Sequence, residues 1–472
     1  MEYFSIKGLS GINRNTSPFA MGEGEFVDTQ NFISKKVGIL TKSGDYLIKN
    51  AQITASQNML GGIDFFENDG THNHVVAIDG ASNAGIYVDV SGTWTSQSQS
   101  LTKNNKVRFA YSPVLDVLFA VNYADATRSC TNALAWSTTT NVTSAPKAKL
   151  VMDFGQRIHL LNCVVGSTSY PTRSYRSSKQ SAGSITWDTT NDWFAWDDNI
   201  VGVGKVADFM VVFGTKSVQV LTLGDEKYPI SDHGCVSHDS IDSYGGWVFW
   251  ASTDGYYAWN GKSEQKISLP IQSYWDGISE SNKASIQGKV IGDNLYVWIG
   301  DLTSPETLNN NVLVYDINQN DWNRFSLGFN VQDLHTYTSS TSKALFAGDD
   351  NGNLYQMLTS GGQNGSVFTS SVETDWIYGK SEAEQNLIKN FYEVWGFGSD
   401  LSGLKVAYKV DNDKDFKPLG ELTGSTDVVN KQLRGYRLKL RLYEISKGNM
   451  YDLYQITIGY KPLYQRTEGE TK

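Results

Sequence analysis

The chain has 472 residues, 40% hydrophobic and 12% aromatic, enough to bury a large core in two or three ordinary domains or one long repeat array. A net charge of −10 argues against a surface that neutralises nucleic-acid phosphates, which needs basic patches, and no apolar run reaches the length of a membrane span. Cys130, Cys163 and Cys235 are odd in number and widely spaced with no CxxC pair, so buried thiols are expected and neither a disulfide framework nor a zinc site is signalled.

In chain order, the opening MEYFSIKGLSGINRN lacks the basic start and apolar run of a signal peptide, so folding in a cytosol is expected. Residues 1–50 form an extended segment punctuated by Gly8, Gly11, Ser17, Pro18, Gly22 and Gly24, too loosely spaced to close a sheet unaided. From Phe26 onward, short strands at 32–33, 38–40 and 44–47 make a small hairpin.

Residues 51–360 carry an internal period of roughly forty to fifty residues, the spacing of propeller blades. The plainest unit is 237–268, SHDSIDSYGGWVFWASTDGYYAWNGKSEQKIS. It reads as strands at 240–243, 247–251 and 256–259, joined by turns on Gly245-Gly246 and Asp254-Gly255. One very apolar strand marks each unit: HVVAI at 74–78, VLFAV at 117–121, IHLLN at 158–162, FMVVF at 209–213, WVFWA at 247–251, LYVWI at 295–299 and ALFA at 344–347. A second strand precedes most of them and a third usually follows, as at 133–136 in the second unit. Strands apolar on both faces belong between neighbouring sheets, which predicts an all-β chain with a β-propeller of six or seven blades, the third unit being stretched by the polar run 166–183.

SGGQNGS at 360–366 reads as a linker. Beyond it, 361–472 predicts a β-sandwich-like domain with strands at 391–395, 405–410, 435–442 and 454–460, whose missing strands the N-terminal segment is expected to supply. Only 381–389 reads as briefly helical.

Chemistry-bearing patterns are few, and each has a structural reading. STDGYYAW at 252–259 is near the box of sialidase propellers, but it lacks a residue between Asp254 and Gly255 and has one extra before Trp259; a hairpin turn accounts for it. Arg108, Arg128, Arg157, Arg173, Arg176 and Arg324 have no spacing that brings three together. His233 and His238 flank Cys235, inviting a metal or a nucleophile pair, which an interblade loop explains as well. Asp411, Asp413 and Asp415 open like a calcium loop, but Phe416 stands at the glycine position, Leu422 at the closing glutamate, and Glu421 falls one place early. Trp187, Trp193 and Trp196 make either a sugar platform or the core edge of a blade, and the core is preferred. No phosphate loop, G-x-S-x-G elbow or H-E-x-x-H occurs, so no catalytic, cofactor or metal site is assigned and no enzyme is expected.

The order of parts resembles a family. GLSGINRNTSPFAMGEGEFVDTQNFISKKVGILTKSGDYLI, then RIHLLN, YRSSKQSAGSITWDTTNDWF, KVADFMVVFGTKSVQVL and GCVSHDSIDSYGGWVFWASTDGYYAWNG, is similar to the succession in tail nozzle and phage stabilisation proteins of tailed bacteriophages, the tail tubular protein B-like accessory factors. The likeness covers residues 5–50 and 155–265, and its motifs are structural turns. It implies a structural virion protein of the phage tail, made in the host cytoplasm. Such a protein forms a homo-oligomeric ring, often of six copies, below the portal and adaptor; it retains the packaged genome and forms a channel through which double-stranded DNA exits without specific binding. An acidic lumen would repel the duplex and keep passage fast. The alternative is a propeller that binds or cleaves host-surface carbohydrate.

Overall fold

The computed structural model describes residues 1–15, 21–22, 24–36, 38–131, 134–180, 184–302, 310–338, 342–359, 362–379, 384–445 and 451–463. The turn containing Ser17 and Pro18, and the start of the stretch read as helical, lie outside them. Seven four-stranded antiparallel sheets follow one another. They begin with Met59–Phe66 (blade 1), Arg108–Ser112 (blade 2), Lys147–Phe154 (blade 3), Ile200–Val206 (blade 4), Asp242–Tyr244 (blade 5), Gln287–Ile291 (blade 6) and Val331–Thr338 (blade 7). Each of these first strands touches the next, and blade 7 touches blade 1, so the sheets close a ring around a common axis. The fold is a seven-bladed β-propeller.

The apolar signature strands are the second strands of the blades, and the packing explains their composition. In Trp247–Ala251, Val248 and Trp250 enter the core shared with blade 4, while Phe249 and Ala251 enter the core shared with blade 6. Side chains alternate across a strand, so a strand with a sheet on either side must be apolar at every position. The same arrangement recurs at every junction, including the one between blades 7 and 1, where Met59, Val76 and Ile78 meet Phe346 and Leu354.

Several local readings change. Half of the polar run after Gly166 is itself a strand, Thr168–Arg176, the third of blade 3, so the run begins as one arm of a long hairpin. In blade 2 the third strand is Arg128–Thr131, upstream of the expected one, and Trp136–Ser137 is the fourth. In blade 5, His238–Ser240 is a 3-10 turn that shortens the first strand. Gly245 and Gly246 do supply positive φ, 59° and 86°, in the tight turn between Tyr244 and Trp247. Gly255 has a different reason: it lies in a four-residue connection, and a Cβ there would meet Lys266 Cε at 2.4 Å. Short helices Gln272–Asp276 and Glu280–Lys283 connect blades 5 and 6 and bury Tyr274 and Trp275 between them.

Two further sheets form the β-sandwich. One joins Glu2–Ile6, Phe32–Lys36 and Ile39–Lys42 to Ile388–Ser399, Thr426–Gly435 and Asp452–Leu463; the other runs Asp28–Gln30, Ser370–Glu373, Leu438–Glu444, Lys405–Val410 and Lys417–Glu421. Its core mixes both ends of the chain, with Ile6, Leu9, Phe26, Phe32 and Leu40 against Phe391, Leu440, Ile456 and Ile458. Ile388 and Lys389 are already strand, which overturns the helical reading there. Farther along the N-terminal segment, Tyr46–Ile48 pairs with Leu354–Met357 as the outermost strand of blade 7.

The two units meet at the outer strand of blade 6, Asp321–Ser326. Arg324, 2% exposed, donates to Asp28 Oδ2 at 2.8 Å, and Tyr274 Oη donates to Asp28 Oδ1 at 2.7 Å. Thr29 and Ser34 exchange hydrogen bonds with Asn323, and Ser34 also donates to Asp321. Within the glycine-rich stretch read as a linker, Gln363 is tied down: its Nε2 donates to the carbonyls of Gly44 and Ser326.

Candidate functional site

The first strands leave a bore along the propeller axis, and a salt bridge crosses it. Arg108, at the head of the first strand of blade 2, places Nη2 2.7 Å from Asp239 Oδ1 and 2.8 Å from Oδ2. Asp239 sits in the 3-10 turn before blade 5, across the ring from blade 2. Small residues in blade 4 let this turn reach inward, since a Cβ on Gly202 would meet Ile241 Cδ1 at 2.2 Å. Burial works against charging Asp239, but Arg108, Lys106, His238 and Lys289 outweigh it and hold the carboxyl at about 2. The ion pair therefore persists over the whole physiological range.

Arg108, His238 and Asp239 line cavities on both sides of this crossing. At the mouth formed by the strand heads lies a space of about 740 Å³ lined by Asn105, Lys106, Arg108, Lys149, Asn162, His238, Gln287 and Trp298 among others. Beyond the crossing is one of about 400 Å³ that includes Asp64, Lys205, Asp242, Lys289 and Asp333. The two differ in charge. Among the described residues, Asp239 is the one carboxylate on the mouth cavity, against Lys106, Arg108 and Lys149, and the inner cavity sets four aspartates against Arg108, Lys205 and Lys289. Burial, with help from Arg108, holds His238 down to about 3, so it is neutral near pH 7. Burial also pulls down Lys106, whose ammonium reaches the Gln332 carbonyl, and Lys149.

A second buried polar group closes the ring. His335 Nδ1 lies 2.6 Å from Asp333 Oδ2, and its Nε2 lies 2.6 Å from His74 Nε2 across the seam of blades 7 and 1. Burial drives the His74 imidazole well below its usual range, and the ring stacks on Tyr337 at 4.4 Å.

The other patterns from the sequence separate. Cys130, Cys163 and Cys235 are all buried free thiols, and burial pushes Cys235 up to about 12. The Cys235 thiol donates to the Ser237 carbonyl, while His233 lies over Tyr257 and pairs with Glu264, so no Cys/His pair forms. Trp187 and Trp196 are core residues; only Trp193 is half-exposed, with Arg173 3.9 Å above its ring. The arginines disperse: Arg157 and Arg176 share Asp192, Arg128 bonds Gln99, and Arg324 holds Asp28. Asp413 caps its own hairpin, accepting from the backbone of Val410, while Asp411 reaches the neighbouring turn and accepts from the backbone of Tyr436 and Arg437. No group of three or more potential metal ligands occurs among the described residues.

Sequence reasoning missed Lys106, Lys149, Gln287 and Trp298. A faint signal lay in KAKLV at 147–151, where lysines alternate with apolar residues at the head of an otherwise apolar strand.

Fold and bore together define a seven-bladed propeller carrying a β-sandwich, with an axis crossed by a salt bridge. No family model and no curated protein matches the chain. Among solved structures it is similar to a propeller described as "YCF48 bound to D1 peptide", at 11% identity and a TM-score of 0.42, over 66% of this chain and 94% of that one. That likeness concerns the fold and carries no argument about what this chain binds.

Proposed function

We propose that the protein is a structural component of a phage tail, a nozzle or hub subunit that assembles as a ring below the portal and adaptor, retains the genome and forms the wall of its exit channel. The reading starts from the motif order in residues 5–50 and 155–265. One structural observation supports it: the first 48 residues are woven into both units, completing both sheets of the sandwich and then the outer edge of blade 7. A subunit stitched in this way resists hinge motion between propeller and sandwich, which suits a wall under load. Because Arg108 and Asp239 cross the propeller bore, the exit channel in this reading runs between copies, along a ring axis outside any one chain. No reaction is assigned.

The test is assembly. Purified protein is measured by mass photometry and mixed with tail-less particles that carry the adaptor, followed by electron microscopy. A closed ring seated below the adaptor is expected. A homogeneous monomer at high concentration that also fails to assemble on such particles overturns the reading, as does antibody label confined to peripheral fibres.

A further inference from the structure

The mouth cavity has features that neither ring assembly nor the fold requires. It concentrates positive charge in a chain whose net charge is −10. Of its three basic side chains, Arg108 is neutralised by Asp239 and Lys106 is directed at a backbone carbonyl, while Lys149 is exposed to the cavity with no ion-pair or hydrogen-bond partner among the described residues. Two positive charges are thus left without a carboxylate.

Two neutral groups on the same wall are also unsatisfied. Gln287, 3% exposed, and Trp298, 8% exposed, are opposed in register on the first two strands of blade 6, and both line the cavity. Gln287 Oε1 and Trp298 Nε1 are buried and have no hydrogen-bond partner among the described residues. A buried acceptor and a buried donor left unpaired each destabilise the free protein, a cost that a bound ligand removes. The volume of about 740 Å³ falls within the range of small-molecule pockets.

We propose that this cavity is a binding site for a small hydroxylated anion, a sugar acid or sugar phosphate, whose acidic group sits between Lys149 and Lys106 and whose hydroxyls bond Gln287 Oε1 and Trp298 Nε1 once these side chains, buried at the cavity wall, turn toward it. The lysines supply charge-assisted hydrogen bonds. Gln287 and Trp298 read the hydroxyls, because an acceptor needs a donor, a donor needs an acceptor, and a hydroxyl is both. The inner cavity, richer in aspartate, disfavours the same ligand, so binding is confined to one face of the propeller. The site is independent of whether the chain forms a ring.

Isothermal titration of the full chain with sodium glucuronate, glucose 6-phosphate, glucose and inorganic phosphate tests this. At least one of the two anionic sugars is expected to bind about tenfold or more tightly than both glucose and inorganic phosphate, and the stronger arm identifies carboxylate or phosphate as the acid. Lys149→Gln is expected to weaken that binding about tenfold, with Lys149→Arg restoring most of it. Trp298→Phe, which keeps the ring and removes the N–H, is expected to weaken the anionic sugar and leave inorganic phosphate unchanged. Melting temperatures confirm that each variant is folded. Absence of binding by both anionic sugars, equal binding of phosphate and sugar acid, or unchanged affinity in folded Lys149→Gln overturns the proposal.

Discussion

The propeller and the sandwich are both antiparallel and of similar apolar content, yet they are assembled by opposite means. Blades 1 to 6 are meanders in which every strand pairs with its neighbour in sequence, so each turn sets its own register. In the sandwich the pairings join distant segments: Ile6 lies opposite Ile456, Thr29 opposite Val372 and Leu40 opposite Leu453. Blade 7 belongs with the sandwich in this respect, since its last strand is borrowed from Tyr46–Ile48. The lesson is that one short N-terminal segment supplies the longest-range pairings of the molecule, joining both sheets of the sandwich and the last blade, at high cost in loop-closure entropy.

The most severe test of this comparison is to delete residues 1–48. The sandwich loses three strands of one sheet and one of the other, and blade 7 is left with an open edge. Loss of cooperative unfolding and soluble aggregation are expected, measured by circular dichroism and gel filtration; a truncated chain that melts like the full one would break the comparison. Next is the buried pair that anchors the segment, Lys42 Nζ to Glu444 Oε2 at 2.6 Å with both side chains almost fully buried. Lys42→Met alone leaves a buried carboxylate behind and is expected to destabilise by about 3–5 kcal/mol in denaturant unfolding. Lys42→Met with Glu444→Leu recovers most of that loss, because two apolar groups need no partner. A single variant as stable as the parent would remove this pair from the account.

A third prediction probes the propeller through pH. His159, between Phe154 and Phe194 in blade 3, is held down to about 3 by burial and then by Arg176 and Arg157. Its folded pKa lies below the unfolded value, so the unfolded chain binds the extra proton and stability is lost as pH falls from about 6.5 toward 3. His159→Phe is expected to flatten that decline, by about 2 kcal/mol between pH 6.5 and 5, in melts recorded across the range. An unchanged slope would show that His159 is not a source of acid sensitivity. The smallest effect is expected at Asp411, whose Oδ1 accepts from the backbone of Tyr436 and Arg437 in the neighbouring turn: Asp411→Asn, which keeps an accepting oxygen, is expected to change stability by less than about 1 kcal/mol, and added calcium is expected to leave the melting temperature of the parent unchanged.

Much of the propeller was legible because its rule is local. Continuous apolar strands such as VLFAV and WVFWA announce a sheet on each face, and Gly245-Gly246 announces the turn between them. Thr168–Arg176 was read as a polar run that stretches its unit, and not as a strand, because its polar residues satisfy the exposed end of a long hairpin, where no neighbouring core demands apolar side chains. The mouth cavity was illegible for a related reason. Lys106, Lys149, Gln287 and Trp298 come from blades 2, 3 and 6, and apart from the alternation in KAKLV nothing in their local sequence distinguishes them from surface or core residues.

The sequence alone determined that the chain is β throughout, that its units repeat, and that each needs a neighbour on both sides, because side-chain alternation and turn chemistry act over a few residues. Tertiary structure alone decided that the blades number seven, that the N-terminal segment closes the last of them besides supplying the sandwich strands expected of it, and that Arg108 meets Asp239 across the axis. These outcomes depend on contacts between segments far apart in the chain, and the geometry of ring closure, which no local pattern encodes, sets which residues face one another.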